Sequence, residues 1–192
     1  MAALAKQLSI LIVALCLIFF TLKPLEANAQ TEQRNYLTPE ILEKQVNNLV
    51  QQAGRDTIDL SNYIIDISNP DSEFSQKFYQ EIRNTINSAT NPISLDLSNS
   101  IIQGDLQLKQ LSILSLLGAG TLPSIFTPLE QSKINQYYPL VNDATKQIPR
   151  ANILRCGFKF DSTIFTGEVN AANSLFLQQL TATSAKFQGL VK

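Results

Sequence analysis

Four consecutive segments, NILRCGFKFDS (152–162), TIFTGEVNAAN (163–173), SLFLQQLTATS (174–184) and AKFQGLVK (185–192), fall into register on one another at a period of 11. The first position is polar or small (Asn152, Thr163, Ser174, Ala185) and the third is large and apolar (Leu154, Phe165, Phe176, Phe187). The seventh is apolar again (Phe158, Val169, Leu180, Val191), and the ninth reads Phe160, Ala171, Ala182. A fixed period of this kind marks a stacked-repeat architecture, in which one repeat cannot bury its own apolar face and needs its neighbours.

An 11-residue period also suits a right-handed helical hendecad, because 11 residues over three turns gives about 3.67 per turn. A hendecad seam places apolar residues three and four apart. Here positions one, three, seven and nine are separated by two, four, two and three. Pairs two apart, such as Phe158 with Phe160 or Val169 with Ala171, share a face of an extended chain and lie on nearly opposite faces of a helix. Phe, Val, Thr, Asn and the glycines Gly157, Gly167 and Gly189, at turn-like positions, are poor helix material. The rows therefore read as β, with two short sides of five and six residues in each.

This pattern resembles the pentapeptide-repeat family in its Phe-rich form with alternating spacings of five and six. The resemblance rests on Thr163-Ile164-Phe165-Thr166-Gly167, Ser174-Leu175-Phe176 and Ala185-Lys186-Phe187-Gln188-Gly189. It implies a right-handed quadrilateral parallel β-helix, with a large apolar residue at the centre of each side and a smaller one two before it. The expected repeat core is Leu154, Phe158, Phe160, Phe165, Val169, Phe176, Leu180 and Phe187, joined by Ile102, Leu106 and Leu108 from an earlier coil. The fold class is then mainly β with an α cap: a solenoid preceded by helices and isolated coils.

The chain of 192 residues carries 15 basic and 16 acidic residues and no histidine. Lys6, the uncharged apolar run Leu8 to Phe20 and the small residues of Ala27-Asn28-Ala29 read as a Sec-type signal peptide over 1–29, with an uncleaved membrane anchor through 8–20 as the alternative. Cys16 makes no lipoprotein box, because Leu15 occupies the place of a small residue. Export to a periplasm or equivalent lumen follows. Without residues 1–29 the balance is 13 basic to 15 acidic, which attracts neither nucleic acid nor anionic lipid. Cys156 then has no partner in its own chain and reads as a buried free thiol, an intermolecular bridge being the other possibility.

In chain order, Gln30 to Tyr36 reads as a polar, flexible terminus. Thr38-Pro39-Glu40 opens a helix whose stripe Leu42, Val46, Leu49, Val50, Ala53 runs to Gly54. Ile58-Asp59-Leu60-Ser61-Asn62-Tyr63-Ile64-Ile65 and Leu95-Asp96-Leu97-Ser98-Asn99-Ser100-Ile101-Ile102 are near copies. They predict isolated repeat coils at 58–67 and 93–108, or alternatively two ordinary strands of an unrelated sheet. Asp71 or Ser72 caps a helix to about Ala89 with Phe74, Phe78, Ile82 and Ile86 on one face. Region 30–150 is thus a capping region, since the end coil of a β-helix exposes unpaired peptide groups. The uncharged stretch Gln110 to Leu129 reads as a buried or partner-facing loop, because its glycines and prolines do not suit a lipid span. Thr127-Pro128-Leu129-Glu130 is a capping box that predicts a helix toward Lys146, divided near Tyr137-Tyr138-Pro139.

The absence of histidine excludes Ser-His-Asp, Cys-His and His-ligated metal sites. Gly118 and Gly120 form no phosphate loop. Asp59 with Asp66, or Asp96 with Asp105, could meet across coils and bind Ca²⁺ or act as acid and base; scattered surface acids are the alternative. The expectation is a non-enzymatic exported scaffold without cofactor that binds an unknown protein, against a carbohydrate-active or calcium-binding β-helix and a DNA mimic. Residues 151–192 carry Arg155, Lys159, Lys186 and Lys192 against Asp161 and Glu168, which disfavours mimicry of an acidic rod. The repeats break off inside a row at Lys192, so the expectation is either the front of a longer repeat protein or an open last coil that another copy or a partner covers.

Overall fold

Each 11-residue row forms two short strands, and two rows bring the chain back to the sheet it left. The computed structural model describes residues 34–117, 122–137 and 150–192. Residues 1–33, 118–121 and 138–149 lie outside them, and with them the expected signal peptide over 1–29, Gly118 and Gly120, and the expected run of the helix past Tyr138-Pro139 toward Lys146. In chain order the elements are β1 (Asn35–Tyr36), α1 (Pro39–Asn47), β2 (Val50–Gln52), β3 (Arg55–Asp59), β4 (Tyr63–Asp66), α2 (Glu73–Ser88), β5 (Ser94–Asp96), β6 (Ile101–Gln103) and β7 (Leu106–Gln107). There follow a 3-10 turn (Leu108–Leu111), β8 (Ile113–Leu116), α3 (Pro128–Tyr137), β9 (Arg150–Leu154), β10 (Gly157–Lys159), β11 (Ile164–Phe165), β12 (Val169–Asn170), β13 (Ser174–Phe176), β14 (Leu180–Thr181) and β15 (Lys186–Phe187).

Four sheets collect these strands. The first runs β2-β3-β5-β10-β14, the second β1-β4-β6-β11-β15, the third β7-β12 and the fourth β8-β9-β13. From β9 onward the chain passes through the fourth, first, second and third sheets and then repeats the order. Partners on successive passes are parallel and 22 residues apart: Asn152 beside Ser174, Phe158 beside Leu180, Ile164 beside Lys186, Val169 beside Val191. Earlier passes are lengthened by insertions. Ile64 lies beside Ile101 and Ile101 beside Ile164, the gaps being occupied by α2 and by the segment that carries β8 and α3.

The corners explain the residue types between strands. Asn62, Asn99, Ser162 and Ser184, between the first and second sheets, all adopt positive φ, between 57° and 65°. Asn is among the few non-glycine residues that tolerate this conformation. Their backbones stack: the N–H of Asn62, Asn99 and Ser162 donates to Ser98 O, Asp161 O and Thr183 O of the next pass. Just inside, Ser100 Oγ donates to Leu60 O at 2.8 Å and Thr163 Oγ1 to Leu97 O at 2.6 Å, so the polar first position satisfies carbonyls where the chain bends. At the corner between the second and third sheets, Gly104, Gly167 and Gly189 stack backbone on backbone. A Cβ on Gly167 would overlap Gly104 O, and one on Gly189 would overlap Gly167 O.

Each sheet begins differently at its N-terminal edge. β1 pairs with β4 in parallel and closes the second sheet, so Asn35 and Tyr36 belong to a strand rather than to the flexible terminus expected. β2 turns back antiparallel on β3 and closes the first. Helix α1 therefore ends at Asn47, and Val50 and Ala53 do not continue its apolar stripe. Ala53 and Gly54 both take positive φ, the two-residue turn that suits a hairpin, and Val50 opposes Thr57. β8 closes the fourth sheet by pairing antiparallel with β9, so part of the uncharged stretch expected as loop is a strand. At the third sheet no strand precedes β7. There the Tyr79 hydroxyl of α2 donates to Asp105 O at 3.1 Å and accepts from Gln107 N at 2.9 Å, occupying the peptide groups that a preceding strand would bond.

The main core fills the space between the sheets and the helices, with Leu42, Ile58, Ile65, Phe78, Ile82, Leu95, Ile102, Phe160 and Phe165 buried. A second cluster, Leu117, Phe126, Ile134, Ala151, Ile153 and Leu177, lies against α3 and β9. β9 thus contributes to both clusters, Ile153 to the second and Leu154 to the main core. Between them sits a buried ion pair: Arg155 Nε donates to Glu130 Oε1 at 2.9 Å, with both side chains at most 2% exposed. The other guanidinium nitrogens donate to Ile86 O, Asn87 O and Ala89 O at the C-terminal end of α2, where helix carbonyls lack partners. Glu130 Oε2 accepts from Thr127 N and Thr127 Oγ1 from Glu130 N, a reciprocal capping box at the start of α3.

Candidate functional site

Leu154, Phe158, Phe160, Phe165, Val169, Ile102, Leu106 and Leu108 are all buried, Phe176 is half-buried, and Leu180 and Phe187 are 42% and 40% exposed. Leu108 begins the 3-10 turn rather than a strand. The aromatic rings meet along and across the passes. Phe165 stacks on Phe187 with centroids 4.9 Å apart and planes 3° from parallel, and Phe160 meets Phe165 edge-on at 5.2 Å. Phe158 meets Phe176 edge-on at 5.9 Å. Leu190 and Val191 are exposed beside them.

A second apolar feature lies on the outside. Strand alternation sends Ile65, Ile102 and Phe165 of the second sheet inward, and therefore sends Ile64, Ile101 and Ile164 outward. Register aligns the outward set into one row across five strands: Tyr36, Ile64, Ile101, Ile164, Lys186. Tyr36 is 57% exposed, and the three isoleucines are half-buried. This row was legible in the sequence as the residue just before each inward centre, but only the register shows that the isoleucines are neighbours.

The outer face of the first sheet differs. Register aligns Thr57, Ser94 and Gly157 in one row and Asp59, Asp96 and Lys159 in the next, the latter continued by Thr181. Asp96 is buried and accepts from Ser98 N at 2.8 Å and from Lys159 Nζ at 3.0 Å. The hydrogen bond to Asp96 holds the Lys159 ammonium above its ordinary pKa. The β2–β3 hairpin, with Gln52, Ala53 and Arg55, walls this face and leaves a trough of about 380 Å³. Gly157 lies in a strand on its floor, not in the turn expected.

The carboxylates do not assemble into the pairs weighed from the sequence. Asp59 lies on the first sheet and Asp66 on the second, and each accepts a backbone N–H two residues on, from Ser61 and Ser68. Asp105 accepts from Glu168 N, while Asp96 is paired with Lys159. Turn capping engages these acids singly. Among the described residues no group of three or more His, Cys, Asp or Glu side chains is placed to hold a metal ion, and no helix is long and apolar enough to cross a membrane. Cys156 is a buried free thiol, its pKa pushed up by burial. Comparison with family models, curated proteins and solved structures finds no match to this chain.

Proposed function

We propose that the chain is a non-enzymatic, exported repeat scaffold of the pentapeptide-repeat kind, a right-handed quadrilateral parallel β-helix that binds another protein. The 22-residue return through four sheets and the inward Phe and Leu positions support the fold reading. The outward row Tyr36, Ile64, Ile101, Ile164 carries the functional one, because aligned apolar side chains on a flat sheet face mark a protein-binding surface. Nothing else on that row competes chemically.

The test uses the full chain immobilised against an envelope fraction, beside its Ile101→Lys and Phe187→Glu variants. The proposal expects a protein retained by wild type and by Phe187→Glu but lost by Ile101→Lys. Equal retention by all three, or none by wild type, would refute the face reading.

A further inference from the structure

We propose that the trough on the outer face of the first sheet binds a small hydroxylated organic anion, a carboxylate or phosphate ester, through Arg55. The argument begins with what the site lacks. Asp96 is the one acid in its lining and is already paired with Lys159, on which Asp59 and Asp161 act from outside the lining. Arg55, in contrast, makes no ion pair and donates no side-chain hydrogen bond among the described residues. Its guanidinium lies beside Gly157, where an added Cβ would sit 3.8 Å from Nη1. A planar guanidinium with free donors matches a carboxylate or phosphate in bidentate fashion.

The remaining lining calls for hydroxyls. Ser94, Gln52 and Gln179 line the same space. A bare ion placed against Arg55 would engage none of these groups, and a trough of about 380 Å³ holds considerably more than an ion. The floor is open because residue 157 is glycine. A Cβ there would lie 3.2 Å from Ser94 Oγ and 3.3 Å from Gln179 O, in the space a ligand would use. Thr57 is excluded as a direct contact, since its hydroxyl is turned to Arg55 O at 3.3 Å and its side chain is buried. The site lies on a different sheet from the isoleucine row, so it stands or falls apart from the protein-binding reading.

Isothermal titration of the full chain with glucuronate, glucose 6-phosphate, glucose and inorganic phosphate tests the assignment. One of the two sugar anions should bind at least about tenfold more tightly than both glucose and inorganic phosphate, and which one binds decides between carboxylate and phosphate. Arg55→Gln should weaken that binding by about tenfold or more, and Gly157→Ala should weaken it by filling the floor. Arg55 is exposed and unpaired, so its variant should melt with wild type. Failure of both sugar anions to bind, glucose or phosphate binding equally well, or undiminished binding by both variants would each overturn the proposal.

Discussion

Replacing Arg155 with methionine should be among the most damaging single changes outside the Phe ladder, and its size follows from what the guanidinium leaves behind. Glu130 would keep a carboxylate 1% exposed, with Thr127 N as its remaining partner. Breaking a buried pair from one side costs about 3–5 kcal/mol, because an uncompensated charge stays in the interior. The three α2 carbonyls add less, since those contacts are 3.4–3.5 Å long and weak. Urea unfolding measures the loss; with a slope of about 2 kcal/mol/M, the midpoint should fall by roughly 1.5–2.5 M. The double variant Arg155→Met/Glu130→Leu removes both charges and should lie within about 2 kcal/mol of wild type, far better than the single change. The reasoning is refuted by a midpoint shift under about 0.5 M for Arg155→Met, or by a double variant no better than the single one.

Gly167→Ala should destabilise by about 1–3 kcal/mol, because its methyl overlaps Gly104 O and the corner stack must separate; a thermal melt unchanged within error would contradict the close approach. Phe165→Ala, removing a ring buried between Phe160 and Phe187, should cost about 3–5 kcal/mol by urea titration. The Tyr79 phenol is pushed up to about 12 by burial, against about 10 in an unfolded chain, so its contribution is intact below pH of about 10 and lost as pH rises through about 12. Wild type should thus lose about 2–3 kcal/mol across that window that Tyr79→Phe does not lose, read as the difference between their urea midpoints at each pH. Cys156 should resist a thiol-specific alkylating reagent in the native chain and react once urea unfolds it; fast native labelling would contradict its burial.

Much of the C-terminal region was legible because side-chain period and strand period coincide there. Thr163, Phe165 and Val169 sit at sequence positions that fix which way each side chain points, so core and surface could be separated without coordinates. The misreadings have a common cause. Leu49, Val50 and Ala53 satisfy a helical stripe as well as a hairpin, and the choice is made by the unpaired edge of β3, which local pattern does not contain. The strand Ile113–Leu116 was hidden for the same reason, since its partner β9 lies far along the chain. Glu130 was legible as a capping-box acid from Thr127, but its bond to Arg155 was not. The trough left no signal at all. It depends on Thr57, Ser94 and Gly157 sharing a row, and on a hairpin wall that the helical reading of residues 49–54 removed.

The four N-terminal edges explain why the insertions fall where they do. A parallel pass can be preceded by a strand only if the chain can bring one there. β1 meets that condition at the second sheet, and a tight hairpin meets it at the first. At the third and fourth sheets the first pass is replaced by α2, whose own peptide groups are already bonded within the helix. A helix can therefore close an edge only through a side chain long enough to reach it and able both to donate and to accept. Tyr79 supplies that to β7, and its hydroxyl bonds one carbonyl and one N–H together. The fourth sheet needs a longer edge covered, opposite the five residues of β9, and a single side chain does not suffice. The chain answers with β8, reversed in direction and carried on the insertion that also holds α3. Arg155 then joins that insertion to the end of α2, so the helix that replaces the missing strands and the segment that carries β8 are tied through one buried guanidinium. Helix α2 thus does two things at once, burying Phe78, Ile82 and Ile86 in the main core while Tyr79 bonds the edge of β7.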